Sequence, residues 1–234
     1  MKINRSTFLI TGGSAGIGKA TAKMLSDKGG KVAITGRDKN KLESVAKEIK
    51  AIPIHADVAK QDDVEKTFDE FLKEFSKLDC LINNAGIGGG WSEITELDMK
   101  ALRNVYDVNV FGAAMMGSKA AKLFKEQNYG NLVNIASTAA LKGYANGTVY
   151  ASSKFALRGM NQCWQADLRK YNVRVILINP SEVTTAFGNS ERVEREEISN
   201  KLRSEEIAHT IVSTLEMDNR GFIPEVTVWA TNPF

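Results

Sequence analysis

The feature that most constrains this chain is an alternation of two kinds of segment. Short apolar, β-branched runs are each followed by a longer segment with apolar residues at helical spacing. "TFLIT" (7–11) reads as a strand. "IGKATAKMLSDKG" (17–29) reads as a helix, with Ile17, Ala20, Met24 and Leu25 on one face and a stop at Gly29–Gly30. A strand at 31–35, a helix at 40–50 and a strand at 51–56 follow. The helix expected at 62–76 carries Val64, Phe68, Phe71, Leu72 and Phe75 on its inner face. A strand at 78–83 leads to a long helical stretch, 95–128, with a break expected near Asn109. A strand at 131–137, a helix at 148–171, a strand at 173–179, a helix at 204–217 and a strand at 225–229 complete the series. This repetition builds an α/β fold, a parallel sheet with helices on both faces. The strands are nearly continuous apolar runs, as a sheet covered on both sides requires. No linker, repeat or low-complexity segment interrupts them, so a single domain over 1–234 is expected.

Composition narrows the function. A hydrophobic share of 43% and a charged share of 25% are ordinary for a globular protein, and the net charge is only +3. The basic residues are scattered rather than run together, which argues against nucleic acid as a partner. No stretch approaches the roughly 18 apolar residues of a membrane span. The N-terminus lacks the apolar core of a secretory signal, and a cytoplasmic location is expected. Cys80 and Cys163 are expected to be reduced and mostly buried. No metal is expected, because neither His55 nor His209 has a Cys or His partner at ligand spacing. The polar run 188–203 reads as a solvated helix face; since it follows a strand end, 186–203 is also a candidate substrate lid.

The loop "TGGSAGIG" (11–18) leaves the first strand and opens the first helix, with Gly12, Gly16 and Gly18 at G-x-x-x-G-x-G spacing. Glycines there let the backbone approach a pyrophosphate, and the helix N-terminus offers free N–H groups and a positive dipole end. The sheet is therefore expected to be a Rossmann-type, doubly wound one of about seven strands. At the end of the second strand an acid would hold a ribose 2′-hydroxyl. This chain has "TGRD" (35–38): Gly36 occupies that position and Arg37 follows. An arginine fork suits a 2′-phosphate, so NADP(H) is expected over NAD(H), with Ser14 adding a hydroxyl. Asp38 is expected to cap the helix that starts near Asn40.

Further motifs follow in order: "DV" (57–58), "NNAG" (83–86), Asn109 in "VNVFG", Ser137 in "NIAS", Tyr150 and Lys154 in "VYASSK", and "NPSEVTT" (179–185). Each is weak alone, but together and in register they make the chain resemble the short-chain dehydrogenase/reductase family over nearly its whole length. Its look is closest to 3-oxoacyl-(acyl-carrier-protein) reductases and small carbonyl reductases. The resemblance implies that Gly12, Ser14, Gly16, Ile17, Gly18 and Arg37 hold the cofactor, with Asp57 and Val58 beside the adenine. It implies that Asn84, Ala85 and Gly86 lie under the adenosine ribose, and that Pro180, Val183 and Thr185 contact the nicotinamide. Asn83 either braces the strands or serves the same turn. Ser181 stands where the family usually has glycine, which would be costly if that backbone needs positive φ.

The resemblance also assigns catalysis to Asn109, Ser137, Tyr150 and Lys154. Tyr150 and Lys154 are four apart and share a helix face. A lysine ammonium beside the phenol, together with the positive nicotinamide of the oxidised cofactor, is expected to draw its pKa from about 10 toward neutrality. Ser137 would donate to the carbonyl oxygen, Lys154 would hold the nicotinamide ribose, and Asn109 would hold a relay water. Trp91, Tyr144 and Phe187 are candidates for an apolar substrate pocket, packing aromatics being the alternative, and "GGG" (88–90) suggests a flexible rim. The expected activity is NADP(H)-dependent reduction of a small-molecule ketone or 3-oxoacyl compound. A sugar or polyol dehydrogenase and a catalytically silent NADP(H) sensor are the rival readings. Family members commonly form homotetramers, so a homo-oligomer (tetramer or dimer) is expected, with Met115, Met116, Phe155 and Trp164 either on that surface or in the core.

Overall fold

A computed structural model describes residues 1–187 and 196–233. The strands are β1 (Thr7–Ile10), β2 (Lys31–Gly36), β3 (Ile52–His55), β4 (Cys80–Asn83), β5 (Gly130–Ile135), β6 (Val173–Pro180) and β7 (Glu225–Val228). They form one seven-stranded sheet in the order β3-β2-β1-β4-β5-β6-β7, and every pairing is parallel. The helices are α1 (Gly16–Asp27), α2 (Lys39–Ile49), α3 (Gln61–Phe75), α4 (Met99–Tyr106), α5 (Ala113–Gln127), α6 (Thr148–Leu168) and α7 (Ser204–Glu216).

Strand periodicity sorts the core onto two faces. Phe8 and Ile10 point to one side, where they pack with Leu25 of α1, Leu42 of α2 and Ile207 and Ile211 of α7. Leu9 points to the other, against Phe68 and Phe71 of α3, Met116 and Phe124 of α5 and Leu168 of α6. Each such side chain contributes about 1.5–3 kcal/mol through the area it removes from water. Met116 is therefore core rather than oligomer surface; Trp164 packs partly against the same core, and Phe155 is exposed.

Local chemistry sets the element ends. Gly29, at φ 83°, follows the C-terminus of α1, and the Gly30 N–H returns to the Leu25 carbonyl at 2.9 Å. Asp38 caps α2, accepting from the Lys41 N–H at 3.0 Å, so the helix begins one residue earlier than expected. The break expected near Asn109 is a π-helical turn, Asp107–Gly112, that joins α4 to α5.

Two expectations fail on helix geometry. Cys163 is exposed, because α6 turns Asn161, Trp164 and Leu168 inward and leaves 162–163 and 166–167 on its outer stripe. Residues 196–203 form turns and a bridge rather than a helix face, and the rest of that charge run (188–195) lies outside the described residues. Among the described residues, no helix is long and apolar enough to cross a membrane.

Candidate active site

All strands run the same way, so their C-terminal ends share one edge. The strand order reverses between β1 and β4, the point where open α/β sheets form a crevice. The glycine loop leaves β1 at that crevice. Gly12 and Gly16 have φ of 64° and 50°. A Cβ on Gly18 would lie 2.4 Å from the Gly12 carbonyl oxygen and 2.5 Å from Asn84 Nδ2, so only glycine lets α1 close against the loop. Ala15 caps α1 without a side-chain hydrogen bond, which leaves the first-turn N–H groups and the dipole end for an anion. Thr11, which sequence reasoning passed over as strand, joins this loop to the one after β4. Its Oγ1 accepts from the N–H groups of Asn84 and Ala85, both at 3.0 Å, while Asn84 Nδ2 donates to the carbonyls of Thr11 and Gly12. A hydroxyl at a strand end, just before a tight turn, was the available signal. Asn83 braces the sheet, donating to Asn134 Oδ1 of β5 and to the Ala113 carbonyl.

At the end of β2, Gly36 faces Ser14. A Cβ at 36 would sit 3.1 Å from Ser14 Oγ and 3.4 Å from Leu42 Cδ1. A side chain there would need Ser14 Oγ to give way by a few tenths of an ångström. Arg37 follows with its side chain exposed, and its carbonyl lies 2.9 Å from His55 Nε2. A carbonyl only accepts, so Nε2 carries the proton. Asp57 Oδ1 accepts from the Ala59 N–H, and Val58 is buried where a Cβ on Gly112 would lie 2.9 Å away.

The acid–base residues lie at the same edge, on the β5 and β6 side. Lys154 is buried and its Nζ donates to the Ile135 carbonyl at 2.9 Å. The same Nζ is 5.7 Å from the centre of the Tyr150 ring and 3.6 Å from where a Cβ on Gly86 would stand. Ser137 Oγ accepts from the Ala139 N–H at 3.1 Å, leaving its own O–H to donate, and Ser137 hydrogen-bonds toward the Tyr150 phenol. Burial is the largest influence on that phenol and pushes its pKa up; the Ser137 bond opposes this, and Tyr144 adds to it. The expected drop toward neutrality is thus reversed in the protein alone, because desolvation outweighs the other influences on the phenol. Burial also lowers Lys154, to about 8.

Asn109 sits inside the π-helical turn and is buried. Its Oδ1 accepts from the Ile87 N–H at 2.8 Å, and its Nδ2 donates to the Ile87 carbonyl at 2.9 Å and to Ser153 Oγ at 3.1 Å. Ser153 in turn donates to the Tyr150 carbonyl at 2.7 Å. The amide therefore clamps the loop after β4 to the helical turn that carries the tyrosine. Ser153 looked like a small packing residue in the sequence, and its partner is 44 positions away.

Pro180 ends β6, and the Ser181 N–H donates to the Val228 carbonyl at 2.9 Å. Ser181 is not among the residues with positive φ, so serine costs nothing there. Val183 pairs with Leu202, the Thr184 N–H donates to the Leu202 carbonyl, and Lys201 bridges Glu182 at 2.8 Å. These contacts tie the last residues of the expected lid (186–203) to the segment that precedes it. Thr185 Cγ2 comes within 3.2 Å of a Cβ position on Gly16, and Thr185 Oγ1 accepts from the Phe187 N–H at 3.2 Å. Thr185 thus joins the glycine loop to Phe187. The three expected pocket aromatics form two ring pairs: Trp91 with Tyr144 at 5.4 Å, and Phe187 with Tyr150 at 5.5 Å between centroids. The rim is less free than expected at Gly89, where a Cβ would lie 2.1 Å from Val149 Cγ1, while Gly90 has open space around it.

Comparison with known proteins gives a consistent result. The family model described as short chain dehydrogenase matches residues 6–196. An uncharacterised oxidoreductase of Staphylococcus saprophyticus is 32% identical over 235 residues, spanning 97% of this chain and 98% of its own. Another, from Staphylococcus aureus strain MRSA252, is 31% identical over 226 residues, spanning 94% and 95%. Among solved structures, an alcohol dehydrogenase from the archaeon Thermococcus sibiricus complexed with 5-hydroxy-NADP superposes with a TM-score of 0.90 at 25% identity, covering 97% of both chains. A 3-ketoacyl-(acyl-carrier-protein) reductase from Brucella melitensis complexed with NADH gives 0.89 at 26% identity, covering 98% of both. With a parallel sheet of this order and a matching family model over most of its length, the chain belongs to the short-chain dehydrogenase family of oxidoreductases, which act on alcohols and carbonyls.

Proposed function

We propose that this protein is an NADP(H)-dependent oxidoreductase that interconverts a small-molecule ketone, or a 3-oxoacyl compound, and its secondary alcohol. The observation that carries this reading is the meeting of Ser137, Tyr150 and Lys154 beside the glycine loop, with Gly86 packed between Lys154 and Asn109. When bound, the nicotinamide cofactor supplies or accepts the hydride. Gly12, Gly16, Ile17 and Gly18 would hold its pyrophosphate, and Asp57, Val58, Asn84, Ala85 and Gly86 its adenosine half. Pro180, Val183 and Thr185 would hold the nicotinamide end. The preference for the phosphorylated cofactor rests on Gly36, Arg37 and Ser14: a glycine packed tightly against Ser14 Oγ stands where a ribose-reading acid would be, and a guanidinium stands next to it.

Tyr150 is the proton donor in reduction. Its raised pKa keeps the phenol protonated at neutral pH, ready to protonate a carbonyl oxygen. Ser137 donates to the same oxygen, where negative charge develops. Lys154 would hold the cofactor ribose and stabilise the phenolate left behind, while Asn109 positions the Tyr150 turn through Ser153. Oxidation of NADPH with a panel of ketones and acyl thioesters tests the reading. Tyr150→Phe should abolish turnover and leave NADPH binding nearly intact; retained turnover would refute it. A homo-oligomer built through α5 and α6 accords with the exposed Phe155 on α6 and Phe111 in the turn that leads into α5.

A further inference from the structure

Trp91, Tyr144 and Phe187 leave large areas of ring surface exposed, at 75%, 42% and 44%. Single exposed aromatics are ordinary on a protein surface, but these three fall into two ring pairs, one of which includes Tyr150. Phe187 tilts against the Tyr150 ring at 59°, on the side of the residues that follow β6. Trp91 and Tyr144 tilt against each other at 42°. The Tyr144 ring is seated over Gly147, where a Cβ would come within 2.3 Å of it, at the residue that starts α6. Gly89 is seated on Val149 and Val105, which brings the Trp91 loop onto the first turn of the same helix. Phe187 is thus held on the Tyr150 ring itself, and the Trp91–Tyr144 pair beside the first turn of α6, which carries Tyr150. The three rings offer aromatic faces, one phenol hydroxyl and one indole N–H, and no formal charge.

Such walls discriminate by shape and polarity. A polyol would set several hydroxyls against aromatic faces that return few hydrogen bonds. A flexible acyl chain would lose its rotor freedom to gain contacts that a rigid ring makes at less cost. A planar ring can meet the indole and phenyl groups in the offset or edge-on arrangements that aromatic pairs favour.

We propose that the arc formed by Trp91, Tyr144 and Phe187 selects an aryl ketone, a carbonyl conjugated to an aromatic ring, with Trp91 and Phe187 as specificity-determining residues. This rests on the hydride-transfer reading above and deepens it. In reduction, hydride adds to the carbonyl carbon as the C=O π bond opens, and the Tyr150 proton goes to the oxygen, giving the aryl carbinol and the oxidised cofactor.

The test compares acetophenone, an aliphatic methyl ketone of equal carbon number and dihydroxyacetone, each with NADPH. The enzymes are the wild-type protein, Trp91→Ala, Phe187→Ala and Met217→Ala, the last an exposed apolar side chain at the opposite edge of the sheet. In the wild type, kcat/KM for acetophenone should exceed that for the aliphatic ketone by about tenfold or more. Each aromatic variant should shrink that ratio at least about fivefold, chiefly through KM, and Met217→Ala should leave it unchanged. A preference for dihydroxyacetone or the aliphatic ketone, or a ratio unmoved in both aromatic variants, overturns the proposal and leaves the hydride-transfer reading standing. Titration calorimetry with 1-phenylethanol gives a readout independent of turnover and of the indole itself. Binding that weakens in Trp91→Ala supports the aromatic site even if no ketone is reduced, an outcome that would sink the hydride-transfer reading alone. Equal binding by the wild type and Trp91→Ala overturns the aromatic site.

Discussion

Lys154 Nζ lies 5.7 Å from the centre of the Tyr150 ring, one helical turn along α6, and its hydrogen bond goes to the Ile135 carbonyl rather than to the phenol. The two groups are pushed in opposite directions by the same burial, the phenol up and the ammonium down. At neutral pH both therefore carry their protons, the state that reduction needs.

The pH dependence follows from that pairing. The protonated fraction of Lys154 falls as pH passes about 8. Reductive kcat/KM should hold near neutrality and decline above about pH 8, and the oxidative optimum should lie at higher pH than the reductive one, because oxidation needs the phenolate. Lys154→Arg, which keeps its charge, should move the descending limb upward if it retains activity. A reductive profile flat to pH 10 would rule out a role for the ammonium.

The same shift has a consequence for stability, with the opposite benefit. Lys154 has a folded pKa of about 8 against an ordinary value of 10.5, so between these pH values the unfolded chain holds more protons. Stability contributed by this group therefore rises with pH through that window, and its burial cost is complete below it. Lys154→Met should be inactive yet more stable than the wild type at pH 7, by about 1–2 kcal/mol. That gain should shrink as pH rises past 8. Denaturant melts at pH 7 and pH 9.5 check both signs.

Much of this could be read before any coordinates, and the exceptions share a cause. The alternation of periods gave the seven strands, because a parallel sheet covered on both faces leaves a strong pattern in sequence. Ser137, Tyr150 and Lys154 stood out by spacing, and they lie together at one sheet edge. What sequence missed depends on partners far along the chain. Ser153 meets Asn109 across 44 residues, Thr11 meets Asn84 across 73, and His55 meets Arg37 across 18. None of those pairings has a local period. The phenol's pKa was misjudged for a similar reason: its charge neighbour was visible in the sequence, but its burial was not.

The chain from Asn109 through Ser153 to the Tyr150 carbonyl makes Ser153 a positioning residue. Ser153→Ala leaves Asn109 Nδ2 without one acceptor and the Tyr150 carbonyl without its side-chain donor. The expected cost is about 1–2 kcal/mol of stability. A fall of about tenfold in kcat with KM within about twofold would mark misplacement of the acid. Loss of stability with unchanged kcat would reduce Ser153 to packing.

Cofactor choice is testable at Arg37. A hydrogen-bonded charge pair is worth about 1.5–3 kcal/mol, so Arg37→Ala should raise the KM for NADPH about 10- to 100-fold and leave that for NADH within a few-fold. Arg37→Asp should reverse the preference. His55→Ala, which frees the Arg37 carbonyl, should give a smaller change in the same direction. An NADH preference in the wild type would end the argument from Gly36 and Ser14.

Two glycine-to-alanine changes should separate function from fold. At Gly18 the added methyl would meet the Gly12 carbonyl oxygen at 2.4 Å and Asn84 Nδ2 at 2.5 Å. One contact is backbone, and the other belongs to an amide already held by two carbonyls, so neither can yield cheaply. The glycine loop must open to admit the methyl, at about 1–3 kcal/mol in stability, and the geometry offered to a pyrophosphate is lost with it. Cofactor binding measured by NADPH fluorescence should weaken at least about 100-fold while the circular dichroism spectrum stays that of the folded sheet. At Gly159, in the exposed face of α6, nothing stands within 4 Å of the added methyl. Alanine there should stabilise the helix by about 0.5–1 kcal/mol with cofactor affinity unchanged. If both substitutions weaken NADPH binding equally, the loss reflects general damage to the fold, and the close packing of Gly18 against Gly12 has no special part in holding the cofactor.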